Sequence, residues 1–302
     1  MAKWIKKAGL IVTIAAVCAL GIWAGIEMGK TKPDFANVKY AGLSERNTMD
    51  VYVPKKGAGP YPVVLWIHGG GFMVGDKAEP QSLDALLEAG FAVASANYRL
   101  SSEAKWPAQL NDLKSALAEL RSNASKFNID PANVATFGAS AGGHLSAWLA
   151  LSSASDTATQ VKAAIDWFGP VDFTTMDADI ELTGVSRATS RNDAADSPES
   201  ALIGKAVKDD PVAAMAASPL TALASLPDTA TPPPFLIMHG AQDPYIGRGQ
   251  SERLRDALVA RGRASVDYHL LPEGTHGGGD FQKAPATETV IDFLQKNLKQ
   301  KP

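Results

Sequence analysis

The sequence predicts an α/β fold: a mainly parallel central sheet with helices on both faces. Three observations lead to it. Short, continuous apolar runs recur along the chain, as strands require when both faces of their sheet are covered. Longer segments with apolar residues at helical spacing alternate with them. The stretch VATFGASAGGHLSAWLAL, residues 134–151, passes from an apolar strand end through a Gly/Ala/Ser turn directly into a helix. With 302 residues, 45% hydrophobic and 20% charged, the chain is long enough to bury a sizeable core.

The amino terminus stands apart from this alternation. Lys3, Lys6 and Lys7 precede residues 8–26, which carry no charge and have about the roughly 20-residue length of a bilayer-crossing helix. Positive residues ahead of an apolar run keep the start in the cytoplasm and pass the downstream chain outward. An uncleaved membrane anchor is favoured by the continuation through Trp23 and Ile26; a signal peptide cut at Ala19-Leu20-Gly21 is the competing reading, and a buried helix of the domain the third. Cys18, the one cysteine, can form no intramolecular disulfide, and Ala15-Ala16-Val17 before it lacks the leucine and small residue of a lipoprotein signal. The expected organisation is therefore residues 1–32 as anchor or signal peptide plus juncture and residues 33–302 as one exported domain. That domain is expected membrane-anchored outside the cytoplasm, or secreted or periplasmic after cleavage. A net charge of −3 offers no basic footprint for nucleic acid.

Residues 38–40 and 49–53 read as short strands, and 54–60 as a Pro/Gly/Lys turn. The run at 62–67, PVVLWI, is an internal strand that delivers the chain into His68-Gly69-Gly70-Gly71-Phe72. A helix follows over 81–89 (Leu83, Leu86, Leu87), stopped by Gly90, then a strand over 91–96. Pro107 opens a helix reaching about Lys126, with Leu110, Leu113, Leu117 and Leu120 as its inward stripe. Residues 133–137 are a strand, 140–151 a helix with Leu145, Trp148 and Leu149 on one face, and 161–168 a strand ending at Gly169-Pro170. Between 171 and 234 the alternation breaks. This Ala/Asp/Ser/Thr-rich stretch, with short helical pieces at 202–204 and 211–217, is too long for a connecting loop and reads as a lid or pocket wall. Residues 235–239 restore the strand pattern and lead to Gly240-Ala241-Gln242-Asp243-Pro244. A helix over 250–260, a strand over 265–271, the loop Pro272-Glu273-Gly274-Thr275-His276-Gly277 and a helix over 286–298 complete the chain.

Gly138-Ala139-Ser140-Ala141-Gly142 matches G-x-S-x-G, whose small residues let strand and helix approach closely while the serine projects from a sharp bend. Ser140, Asp243 and His276 all fall on loops after predicted strands, and in a parallel sheet such loops emerge at one edge. His276, between Gly274 and Gly277, is the candidate base. His269 lies within a strand, His239 at a strand end with a structural role, His144 on the helix of Ser140, and His68 holds the glycine loop. Asp172, Asp267 and Asp280 are rivals to Asp243, which is preferred because its loop follows a full buried strand. The three glycines after His68 allow a sharp backbone turn that points amide hydrogens at a substrate oxygen, with Gly70, Gly71 and Ala141 as the donors. Trp106, Trp167 and Phe168 read as core residues, or else as the lining of an aromatic pocket. Nothing in the sequence calls for a cofactor or a metal.

The order Ser, Asp, His is that of the α/β-hydrolase arrangement. The chain resembles α/β-hydrolases of the hormone-sensitive-lipase-like type, and more closely their carbohydrate-esterase relatives, the BD-FAE group of feruloyl and acetyl esterases. HGGGF, NYRLSSEAKWPAQLNDLKSAL, NIDPANVATFGASAGGHLSAWLAL, AAIDWFGPVDF, SPESALIG, ASPLTAL, FLIMHGAQDPYIGRGQSERLRDAL and GTHGGG carry the resemblance. It implies Ser140 as nucleophile, Asp243 as acid, His276 as base and Gly70, Gly71 and Ala141 as oxyanion donors. It also implies hydrolysis of short-chain acyl esters through an acyl-enzyme, with acetyl or feruloyl esters of carbohydrates as the substrate class. A peptidase of the prolyl-oligopeptidase-like branch, an arylformamidase and a non-catalytic binding module on the same fold are the alternatives. Two departures stand out. Ile246-Gly247 replaces a common Val-Pro and is expected to loosen the acid loop, and residues 174–196 match no pattern of the group.

Overall fold

The computed structural model describes residues 31–78, 80–155, 159–262 and 264–298. The apolar run at 8–26 lies outside them; among the described residues no helix is long and apolar enough to cross a membrane. Eight strands form one sheet: β1 (Phe35–Lys39), β2 (Thr48–Tyr52), β3 (Tyr61–Ile67), β4 (Ala92–Ala96), β5 (Ile129–Ala139), β6 (Ala163–Trp167), β7 (Phe235–Gly240) and β8 (Val266–Leu271). Their order is β1-β2-β4-β3-β5-β6-β7-β8. The pairings β1–β2 and β2–β4 are antiparallel and all later ones parallel.

Every residue of β3, β4, β6 and β7 is buried, which is why these strands read as unbroken apolar runs. Side chains alternate between the two faces of the sheet. Val64, Trp66, Val93, Phe137, Ile165 and Met238 meet Leu86 of α1 (Leu83–Glu88) on one face, together with Val290, Phe293 and Leu294 of the last helix (Ala284–Asn297). On the other face Val63, Leu65, Ile67, Ala94 and Ile237 meet the stripes of three helices. These are Leu113 and Leu117 of α2 (Ala108–Ser122), Leu145 and Leu149 of the helix Ala141–Ser153, and Leu254 and Leu258 of the helix Gly249–Ala260.

The helix predicted to reach Lys126 instead stops at Ser122, and α3 (Ala124–Phe127) follows as a single turn. The reason is local. Asn123 turns its amide back onto the Glu119 carbonyl and carboxylate (3.2 and 2.8 Å), competing with the helical ladder. The helix Ala141–Ser153 is thus α4. Across 171–234 lie four short helices, α5 (Met176–Glu181), α6 (Pro198–Ile203), α7 (Pro211–Ala216) and α8 (Pro219–Ala224), where the sequence pattern suggested two pieces. Proline opens α6, α7 and α8, and the N-cap side chains of Ser197 and Asp210 accept from the amides of Ser200 and Ala213. These Ser-Pro and Asp-Pro pairs are start signals too brief for periodicity to register. The remaining helices are α9 (Gly249–Ala260) and α10 (Ala284–Asn297).

The parallel register pairs Ile67 with Gly138, Ala139 with Trp167, Trp167 with Met238 and Gly240 with Leu271. The carboxyl ends of β3, β5, β6, β7 and β8 therefore finish at one edge, and the loops bearing the candidate residues leave from there.

Candidate active site

Ser140 links β5 to α4 at φ 57° and ψ −124°, a conformation that costs a side-chain-bearing residue about 1–3 kcal/mol. The surrounding structure holds it there. The Ser140 amide donates to the Trp167 carbonyl at 2.9 Å, and the His144 amide to the Ser140 carbonyl at 3.1 Å. Close packing explains the glycines: a Cβ at Gly138 would lie 2.1 Å from the Gly142 carbonyl oxygen, and one at Gly142 2.0 Å from that of Ile67.

Asp243 follows β7 and is buried. Its Oδ1 accepts from the amides of Tyr245 (2.8 Å) and Ile246 (3.0 Å), and its Oδ2 accepts from His276 Nδ1 at 2.7 Å. Burial would raise its pKa, but the attraction of and hydrogen bond from His276, the nearby His239 and the Ile246 amide together hold the carboxyl below its ordinary value. His276 Nε2 lies 2.9 Å from Ser140 Oγ. With Nδ1–H donated to Asp243, Nε2 is the acceptor for the serine proton. The imidazole is flanked by Phe168 at 4.6 Å and Tyr245 at 5.1 Å, ring centre to ring centre. The structure thus brings Ser140, His276 and Asp243 into one hydrogen-bonded chain.

Three peptide groups near Ser140 are oriented by their carbonyls. In a trans peptide C=O and N–H point opposite ways, so holding one aims the other. The Gly69 carbonyl is bound to His68 Nδ1 at 2.8 Å, which aims the Gly70 amide. The Gly70 carbonyl accepts from Met73 and Val74 (3.0 and 3.1 Å), which aims the Gly71 amide. The Ser140 carbonyl, bound into α4, aims the Ala141 amide out of the helix start. Gly70 (φ 102°) and Gly71 (φ 59°) hold conformations that L side chains rarely adopt. Pro198, at the start of α6, closes over the loop, so that a Cβ at Gly71 would lie 3.1 Å from the proline Cβ.

The other histidines divide as their strand and helix positions suggested. His239 is buried and neutral, its pKa lowered by burial; its Nε2 donates to the Ile246 carbonyl at 2.9 Å and its Nδ1 lies 2.7 Å from Ser251 Oγ. His144 is buried against Phe173 and Phe72, with Nδ1 bound to the Pro170 carbonyl. His269 is exposed on β8. None of the rival carboxylates is bonded to His276: Asp172 binds Thr174, Asp280 pairs with Lys283, and Asp267 lies 3.9 Å from Lys296. The three aromatic residues do not line one pocket. Trp167 is buried between Phe137 and Phe281, Trp106 packs on Trp148 and His144 across the sheet, and Phe168 abuts His276.

The expected loosening at Ile246-Gly247 does not occur. Both main-chain groups of Ile246 are bonded, and Gly247 lies so close to α5 that a Cβ would be 2.5 Å from the Asp179 carbonyl carbon. Gln250 ties the same helix down. Its Oε1 accepts from the amides of Val171 and Asp172, and its Nε2 donates to Thr175 and Asp179, all within 3.0 Å. Arg253 adds a two-pronged pair with Asp179, both contacts 2.8 Å. Sequence reasoning found none of these partners, because no local pattern marks an amide or carboxylate that bonds some 70 positions away.

The family model of BD-FAE matches residues 49–258, from β2 to α9. This chain belongs to the BD-FAE family. Among solved structures, a truncated carbohydrate esterase from gut microbiota is 32% identical, with a TM-score of 0.76 over 88% of this chain and 99% of that one. A bacterial heroin esterase, 24% identical, shares the fold with a TM-score of 0.71 over 96% of this chain and 91% of its own. Esterase LipQ of Mycobacterium tuberculosis is 29% identical over 86% of this chain; the chain spans 61% of the length of LipQ. The sheet of this BD-FAE member, with its antiparallel start and parallel continuation, is that of an α/β-hydrolase. Its matched region contains Ser140 and Asp243; His276 lies beyond the match.

Proposed function

We propose that the chain is a serine carboxylic-ester hydrolase that works through an acyl-enzyme. The observation that carries this reading is the chain Asp243–His276–Ser140, with contacts of 2.7 and 2.9 Å, beside three aimed amides. In this reading Ser140 attacks the ester carbonyl while His276 takes its proton, and Asp243 keeps the imidazole in the accepting tautomer. The amides of Gly70, Gly71 and Ala141 receive the oxyanion. His276 returns the proton to the departing alcohol and then activates the water that releases the acid. Residues 171–234 wall the substrate site. Short acyl groups on carbohydrates, acetyl or feruloyl, are the proposed substrates, a choice supported by the similarity to a carbohydrate esterase. Residues 8–26 are proposed to carry the domain out of the cytoplasm, which fractionation with and without this segment tests.

Hydrolysis of p-nitrophenyl esters from acetate to palmitate, beside a Ser140→Ala variant, tests the reaction. Serine-dependent turnover greatest on acetate or butyrate is expected. Full turnover by Ser140→Ala would remove this serine from the mechanism, and a folded wild type inactive on every ester would shift the reading to amides.

A further inference from the structure

We infer that Arg46 is a positioning residue for the oxyanion loop, acting by selecting the tautomer of His68. The inference rests on the reading above that the Gly70 amide receives the oxyanion. Of the three peptide groups beside Ser140, two are pinned by backbone amides, which can only donate. The third, Gly69–Gly70, is pinned by an imidazole nitrogen, which donates in one tautomer and repels the carbonyl in the other. Something must choose between them.

Arg46 makes the choice. Its Nη2 lies 3.3 Å from His68 Nε2 and donates to the Gly75 carbonyl at 2.7 Å, while its Nε donates to the Tyr98 carbonyl at 2.9 Å. A guanidinium has donors and no acceptor. His68 Nε2 must therefore be a lone pair, and the proton sits on Nδ1, where it donates to Gly69. His68 is clamped in place, stacked on Tyr98 at 4.3 Å, with the Tyr98 hydroxyl donating to its carbonyl at 2.9 Å. Gly75 seals the contact, since a Cβ there would fall 2.3 Å from His68 Nδ1 and 2.6 Å from the Gly69 oxygen. Burial, reinforced by Arg46, lowers the His68 pKa to about 4, so the ring stays neutral in ordinary buffers. Arg46 touches no reacting atom; it aims the Gly70 amide through two intermediates.

The tautomer is measurable directly. In a long-range proton–nitrogen correlation spectrum of the full chain labelled with nitrogen-15 histidine, His68 is identified by the signal missing from His68→Asn. The expected form is Nδ1–H in the wild type; Nε2–H would overturn the inference without any variant of Arg46. In ester hydrolysis Arg46→Met is expected to lower kcat about 10- to 100-fold with KM within about threefold, less than deletion of an oxyanion donor costs. Arg46→Lys, which keeps a donor, is expected to recover most of that loss. Asparagine at 68 offers a fixed amide donor to Gly69, so Arg46→Met made on His68→Asn should cost less than about twofold. An equal loss on both backgrounds would overturn the inference, since Arg46 would then act only through Tyr98 and Gly75. The tautomer readout does not depend on activity, so its failure is distinct from failure of the esterase reading.

Discussion

Ser140, Asp243 and His276 each meet a different physical demand, and each demand yields its own test. Ser140 occupies a backbone conformation that its main-chain hydrogen bonds and the packed glycines around it sustain, so Ser140→Ala should preserve the fold while lowering kcat by up to about a millionfold. Asp243 accepts from two backbone amides and from His276. Asp243→Asn keeps the oxygen that the amides need but turns an N–H toward His276 Nδ1. This favours the wrong tautomer, and kcat should fall about ten-thousandfold with the melting temperature nearly unchanged. A loss under tenfold would mean that another group orients the base. These residues were legible in the sequence because their needs are written in covalent neighbours: glycines flanking a serine, a histidine between glycines, an aspartate after a buried strand. Arg46 was not legible. Its acceptors lie 22, 29 and 52 positions away, and nothing beside it marks a task.

Helix α5 shows how an element with little sequence signature holds the site together. It has six residues, weak periodicity and an Asp-rich first turn, yet Asp179 bonds Gln250 and Arg253 and its backbone rests on Gly247. That contact leaves no room for a side chain at this position. Gly247→Ala should lower stability by about 1–3 kcal/mol through overpacking and reduce kcat several-fold by shifting the acid loop. Thermal melting with steady-state kinetics decides it, and a neutral result would show that α5 does not constrain this loop. The long elements were readable because each buries a full stripe. The short helices of 171–234 are stabilised by caps, ion pairs and bonds to other elements, such as Arg187 with Asp177, 2.8 Å apart. Only the folded chain brings those partners together.

The whole molecule keeps buried groups neutral in opposite senses, and its stability should depend on pH accordingly. Burial raises Asp166 from an ordinary 3.8 to about 7 despite the Gly169 amide on its Oδ1, and raises Glu199 to about 7. The native chain then holds protons that the unfolded chain has released. Their contribution is complete below about pH 4 and is lost as pH rises through about 7. For His68, at about 4, and His144, lowered by burial to about 3, the native state binds fewer protons than the unfolded state. Their contribution is present above pH 6.5 and is lost as pH falls toward 4 and 3. Asp166→Asn removes one side of this balance. Relative to wild type its melting temperature should rise by several degrees between pH 5 and pH 8, because each pH unit up to about 7 is worth about 1.4 kcal/mol and the difference levels off above it. A difference independent of pH would mean that Asp166 is charged in the native protein.

By itself the sequence determined the α/β architecture, the order of the strands and the longer helices along the chain, and the serine, aspartate and histidine that stand together at one sheet edge. Apolar periodicity and glycine placement are consequences of burial and backbone sterics, and both act between near neighbours. The tertiary structure decided which carbonyls are held, which tautomers are selected, and how residues 171–234 are fastened beside the site. Those outcomes depend on hydrogen bonds of about 3 Å between groups far apart in the chain, and their geometry exists only once the sheet has set the distances.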